Sequence, residues 1–358
     1  MSDGVPTVHA KTAERERWAG TIFAFLSTFL YGVSNVAMRC MTGPVCEVDL
    51  NWILFYKESV GVLIVLPWLF FRLGQGRFRF VSMRLVVYIL IAALLCQVIG
   101  ARLQVLGYAV IGLIIAVPVI QSSILLGVAI LGYLILGESL SRQRKAAIAV
   151  LIVAITLLSI GKALVPTEEQ AANDTVNIVS AGVFLLVTLG TVVAGIIFAV
   201  YVMMIRYVLR QYWDEKNSSW QSFRIRRWIG YDYAKKPGER FYTPFPISLI
   251  MVLVFAVGVV FFGILIYGES GAAGFYDVPQ VAWYCVLISG ICNAVGFFFQ
   301  LQGLRLTSAV QASLIAVSQM LLLSLVGFWF FAEAVNTLVL IGLGLTVYGI
   351  VMSAKPEK

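Results

Sequence analysis

The chain has 358 residues, 60% of them hydrophobic and 12% charged, with a mean hydropathy of +0.93 and a formal net charge of +8. So apolar a balance excludes a water-soluble globular domain and identifies a polytopic membrane protein, whose scattered positive charge suits lipid head groups rather than nucleic acid. The single histidine, His9, lies in the polar tail, and Cys40, Cys46, Cys96, Cys285 and Cys292 make no CxxC or metal-ligand spacing, which argues against a metal site, a haem or a histidine base in the membrane.

Residues 1–18 form a cytoplasmic tail, and its KTAERERW stretch runs into the first apolar segment without an A-x-A-like cleavage site, so that segment is expected to stay as an anchor. A helix rises about 1.5 Å per residue and the hydrocarbon core is roughly 30 Å thick, so about 20 apolar residues make one crossing. That ruler predicts ten spans, near 19–40, 50–71, 85–108, 109–136, 146–164, 178–208, 245–268, 281–303, 306–331 and 335–354. The second carries two adjacent charges, Lys57 and Glu58, into its apolar middle. The run from Leu85 to Leu136 would measure about 78 Å as one helix and must fold back, with Gly107 and Gly112 marking the expected bend. A second long run, Val281 to Phe331, is expected to break at Gly303 with Arg305, Thr307 and Ser308. Cys40 and Cys46, close to the end of the first span, read as two unpaired thiols, with a small disulfide as the alternative on an oxidising face.

Lys and Arg gather in alternate connections. They include Arg15 and Arg17 before the first span, Arg77 and Arg79 after the second, Arg144 and Lys145 after the fourth, and a basic stretch at 209–244. The opposite connections carry acids such as Glu47, Asp49, Glu168, Glu169, Glu269 and Asp277, which places both termini in the cytoplasm. Trp18, Trp52, Trp68, Trp283 and Trp329 fall near span ends and read as interface anchors. Within the basic stretch, residues 218–242 mix aromatic and basic side chains as a surface helix on anionic lipid would. Asn173, Asp174 and Thr175 match a glycosylation acceptor pattern in an outer loop.

The two halves echo each other. VIGARLQVLG at 98–107 aligns with AVGFFFQLQG at 294–303, ILGESL at 135–140 with FFAEAV at 330–335, and YGVSNVAMR at 31–39 with FAVYVMMIR at 198–206. Five spans per half is an odd number, so the second half is expected to insert upside down relative to the first. With these motifs the chain resembles the drug/metabolite transporter superfamily, in its EamA branch of ten-helix carriers, over about residues 19–354. The resemblance implies an all-α membrane protein of two inverted five-helix repeats, at 19–164 and 178–354. It further implies a multi-pass carrier of small organic molecules in a bacterial inner membrane, with no cofactor. The chain departs from the family in carrying Lys57 where the family often has Arg, and in its long connection at 209–244.

Neighbours on a helix diverge by about 100°, so Glu58 is expected to find its partner on another helix. Arg102 lies at a similar depth, and a Glu58–Arg102 pair would leave Lys57 facing a central cavity; the alternative has Lys57 and Arg102 snorkelling to the head groups. Polar residues inside the spans form a second constellation. Asn35 follows Tyr31 in the first span, Gln97 and Gln104 sit in the third, and Gln121, Ser122 and Ser123 follow Pro118 in the fourth. In the second half stand Asn293, Gln300, Gln302, Gln311 and Gln319. Amides donate and accept, so they suit a zwitterionic or hydroxylated ligand, and they also serve interhelical bonding. Gln104 and Gln300 are the repeat-related pair, and Tyr31, Tyr56 and Tyr201 are the expected aromatic wall. Pro118 is expected to kink its span, and Glu138 and Glu333 to be interfacial helix ends.

These features favour a carrier moving a small metabolite, such as an amino acid or organic acid, by alternating access, in export or exchange. An exporter of neutral drug-like amphiphiles is the alternative. A membrane-embedded enzyme would need a cluster of nucleophile, base or metal ligands that the spans lack, and a cation channel would need carboxylate rings where Glu58 is the one deep acid.

Overall fold

A computed structural model of the chain describes residues 8–43, 46, 48–75, 83–136, 142–163, 178–211, 247–271, 278–306, 315–316, 318–333 and 335–354. The 218–242 segment, Glu138, the Asn173 to Thr175 pattern, Gln311, Thr307 and Ser308 lie outside the described residues. All regular secondary structure among the described residues is helical. In chain order the elements are α1 (Val8–Thr42), α2 (Leu50–Gly74), α3 (Met83–Leu94), a π-helical stretch (Leu95–Ala101), α4 (Arg102–Ile111) and α5 (Leu113–Leu136). There follow α6 (Arg142–Ala163), α7 (Ile178–Gln211), α8 (Ile247–Ser270), α9 (Gln280–Leu306), α10 (Ser318–Phe331) and α11 (Thr337–Ala354).

Among the described residues, seven segments are long and apolar enough to cross a membrane: α1 from Trp18, α2, the continuous α3 to α4 run from Leu85, α5, α7 from Gly182, α8 and α9. The other three expected spans correspond to shorter apolar helices, Ala146–Leu158, Ser318–Phe331 and Thr337–Gly349. Outward-facing side chains are large and apolar, Leu63, Leu186 and Phe330 among them, as lipid contact requires.

Local chemistry sets the boundaries. Asp49 caps α2, its Oδ1 accepting from Asn51 N–H at 2.7 Å and Trp52 N–H at 3.2 Å. Gly112, at φ 78° and ψ 173°, separates α4 from α5 in a conformation that a residue with a Cβ rarely adopts. Of the two glycines expected at this bend, Gly112 breaks the helix, whereas Gly107 stays helical and lets α4 approach α7, where a Cβ would meet Thr191 Oγ1 at 2.8 Å.

Packing is organised in pairs. α1 lies along α9, α7 against α3, the π stretch and α4, α2 against α8, α5 against α7 and α10, and α6 against α11. The α1–α9 contact includes a buried hydroxyl pair, Ser34 Oγ and Ser289 Oγ, 2.9 Å apart. Two apolar clusters result. One, containing Met41, Trp52, Tyr108 and Leu113, surrounds the Gly112 turn; the other, containing Ile89, Phe255, Phe297 and Leu301, joins α3, α7, α8 and α9. Trp52 is 2% exposed and packs against the Tyr56 ring at a tilt and the Trp283 ring edge-on, so it is a core residue and not the lipid-interface anchor expected of it. Trp18 and Trp329 are exposed.

Candidate functional site

Between the two apolar clusters lies a cavity of about 180 Å³. On α1 its lining runs from Ala24 to Met38, about 21 Å by the helical rise. It reaches Leu304 in the last turn of α9, so it extends towards that end of the bundle. Towards the other end it stops at Gln104 and Ile120, each about 12 Å from the Gly112 turn. Past that level the bundle is solid: Met41, Val105, Leu113 and Ala116 are fully buried.

The seven residues expected to meet a ligand all line this cavity. Tyr31 and Asn35 come from α1, Lys57 from α2, Gln104 from α4, Tyr201 from α7, and Asn293 and Gln300 from α9. Each amide of the repeat-related pair holds a phenol: the Tyr31 hydroxyl donates to Gln300 Oε1 at 2.8 Å, and Gln104 Nε2 donates to Tyr108 Oη at 2.6 Å. Gln121 Nε2 donates to Gln319 Oε1 at 3.2 Å, while Gln319 Nε2 has no hydrogen-bond partner among the described residues. Phe198, Phe255 and Phe297 supply an aromatic wall that polar-residue reasoning overlooked, because a phenylalanine in an apolar span carries no signal of which way it faces.

The charge pairing differs from expectation. Lys57 Nζ lies 2.9 Å from Glu58 Oε1, so the ion pair joins the two neighbours, and Glu58 does not pair with Arg102. Lysine's flexible four-carbon stem swings its ammonium across the 100° that separates adjacent side chains, which a backbone-level argument does not capture. Both are buried, Glu58 completely, and its carboxylate makes no aligned hydrogen bond among the described residues. Its stem rests against α8, where a Cβ on Gly258 would lie 2.7 Å from Glu58 Cγ. Tyr56 departs too: it belongs to the Trp52 and Trp283 cluster and does not line the cavity.

Glu333 is not the solvated helix end expected of it. It is 9% exposed, and its two oxygens accept from the backbone N–H groups of Leu113 and Ile114, each at 2.9 Å, at the start of α5. Arg39 Nε, near the end of α1, donates to Glu333 Oε1 at 3.2 Å, and the same guanidinium reaches Ala109 O at 3.5 Å and lies over the Phe331 ring. Pro118 sits within α5, one turn before the cavity-lining Gln121. Among the described residues, no cluster of three or more His, Cys, Asp or Glu is placed to hold a metal, and the five cysteines are free thiols.

Comparison with known proteins adds three findings. A family model described as the EamA-like transporter family matches residues 18–160 and 231–354. No curated protein matches the chain. Among 28 matching solved chains is one described as "Crystal structure of protein", with a TM-score of 0.57 and 14% sequence identity, covering 94% of this chain and 98% of that one; at this identity the likeness is one of fold.

Proposed function

Because this chain belongs to the EamA-like transporter family, a family of transporters and not of enzymes, we propose that it is a carrier moving a small organic metabolite by alternating access. Its ten segments then form two inverted five-helix repeats with both termini cytoplasmic, in a bacterial inner membrane, and the direction is export or exchange. Two separate family matches, one in each half, support the repeats, and so does the packing. α1 on α9 mirrors α7 on α3 and α4, while α2 with α8, α5 with α10 and α6 with α11 each unite corresponding spans.

The observation that carries this reading is the cavity itself, walled by helices of both halves and lined by amides, phenols and one buried ion pair. The pairing refines the substrate class. Lys57 is already neutralised by Glu58, so a lone anion gains less from it than a free lysine would offer. A zwitterion such as an amino acid offers a carboxylate to Lys57 and an ammonium to Glu58, whose oxygens lack aligned donors. A neutral amphiphile is the second reading, favoured by Phe198, Phe255 and Phe297 in the wall.

Counterflow in proteoliposomes, with a labelled pool of amino acids, organic acids and neutral amphiphiles, tests the proposal. Saturable uptake of a zwitterion by the native chain, lost in Lys57→Ala, is the expected result. Uptake of neutral compounds alone, unchanged in Lys57→Ala, would replace the zwitterion with the amphiphile, and no counterflow of any class would remove the carrier reading.

A further inference from the structure

Three structural units meet at Glu333. It follows α10, it caps the first turn of α5 through Leu113 and Ile114, and it pairs with Arg39 at the end of α1. The fit is close on every side. A Cβ on Gly112 would lie 2.6 Å from the carboxylate, and one on Gly327 would lie 2.9 Å from its Oε2. The residue's own N–H donates to Gly327 O at 3.1 Å, which holds the chain against α10 at the point where Ala332 takes a φ of 48°. A carboxylate buried among backbone donors and a guanidinium is fully engaged only while α1, the α4–α5 turn and the end of α10 stay together.

Those same elements carry the cavity wall. Asn35 and Met38 lie on α1, Gln104 on α4, Gln121 on α5 and Gln319 on α10. The Glu333 cluster also stands at the solid end of the bundle: the Gly112 turn it touches is about 12 Å by the helical rise from cavity-lining Gln104 and Ile120, and its partner Arg39 follows cavity-lining Met38 on α1. If the carrier alternates access, the wall must separate at this end in the other state, and α1, α5 and α10 cannot part while one carboxylate binds all three.

We propose that Glu333 is the positioning residue that holds this end of the transport cavity shut, and that its release from Arg39 and from the α5 N-terminus accompanies opening. The proposal rests on the carrier reading above. Because three donors, two backbone N–H groups and a guanidinium, converge on one carboxylate, the closed state is favoured without any contact between Glu333 and substrate.

Thiol labelling of the full chain in sealed vesicles tests this. A cysteine is placed at Val117, buried on α5 between Ile114, which Glu333 caps, and the cavity-lining Ile120, in a chain whose five native cysteines are replaced by serine or alanine. A membrane-impermeant maleimide is applied to each face in turn. The native site is expected to label slowly from both. With Glu333→Gln, labelling from the Glu333 face is expected to rise at least about tenfold, the population change that follows loss of hydrogen bonds to a charged acceptor, and labelling from the other face to stay as it was. Native-like rates from both faces, or an equal rise from both, overturn the proposal, since general loosening has no sidedness. Should Glu333→Gln fail to yield monodisperse protein, Arg39→Gln leaves the backbone caps in place and is read against the same criteria. Labelling requires no substrate, so its failure leaves the carrier reading intact, and a failed counterflow assay leaves the labelling result to stand by itself.

Discussion

Among the described residues, Glu58 is paired with one countercharge, and that countercharge is the residue before it. A carboxylate completely enclosed by protein is tolerated only when paired, so removing the ammonium leaves a buried charge with no compensation, which destabilises by about 3–5 kcal/mol. Removing both charges leaves a neutral amide against Gly258 and avoids that penalty. Lys57→Ala is therefore expected to lower the unfolding temperature in detergent well below the native value, and Lys57→Ala with Glu58→Gln to recover most of the loss. Equal losses in the single and double variants would mean that Glu58 already finds another way to balance its charge. The membership of this site was legible in the sequence because a polar residue in a crossing helix has few places to go, and Tyr31, Asn35, Lys57, Gln104, Tyr201, Asn293 and Gln300 do converge on one cavity. Its internal bonding was not legible. Rotamers decide whether Lys57 reaches Glu58, and Tyr56, one residue away on the same helix, turns into the Trp52 and Trp283 cluster instead.

At the scale of elements, the α4–α5 turn joins a backbone requirement to a side-chain contact. Gly112 has a φ of 78° and a ψ of 173°, a region that is costly for any residue with a Cβ by about 1–3 kcal/mol, and the added carbon would also collide with the Glu333 carboxylate. Gly112→Ala thus displaces Glu333 as well as straining the turn. The effects of Gly112→Ala and Glu333→Ala on unfolding temperature are expected to be clearly less than additive when combined, because the first already loosens what the second removes. Additive effects would show that the turn and the carboxylate act independently. The position of this turn was visible in the sequence, since an apolar run too long for one crossing must break and glycine is where it breaks. The partner of the turn was not. Glu333 lies 220 residues from Leu113, and its partners there are backbone N–H groups, which no residue type announces. The π-helical stretch at Leu95–Ala101, which brings Cys96 and Gln97 to the cavity, was equally silent, because its sequence, LCQVIGA with Gly100 inside, reads like any other apolar helical segment.

For the whole molecule, what matters is how its spans alternate across the bilayer. Hydropathy made the spans legible because every crossing must satisfy its backbone internally and present apolar side chains to lipid, and seven described segments meet that standard in full. The inverted arrangement is a stronger claim, and it makes a definite demand on two connections. One span, 178–208, separates the acidic connection at 164–177 from the basic connection at 209–244, so the two must lie on opposite faces. An epitope inserted near Glu168 is expected to be reached from outside intact cells, and one inserted near Trp220 only after the membrane is breached, because nearly all the basic residues of this region lie in the second connection. A C-terminal epitope is expected to behave like the one near Trp220, since four further spans restore the same side. Exchange of the two patterns would invert the whole molecule and leave the repeats antiparallel to each other. If both epitopes were instead exposed on one face, α7 would not cross, the second half would fall from five spans to four, and alternating access would have no matched inverted pair of units on which to operate.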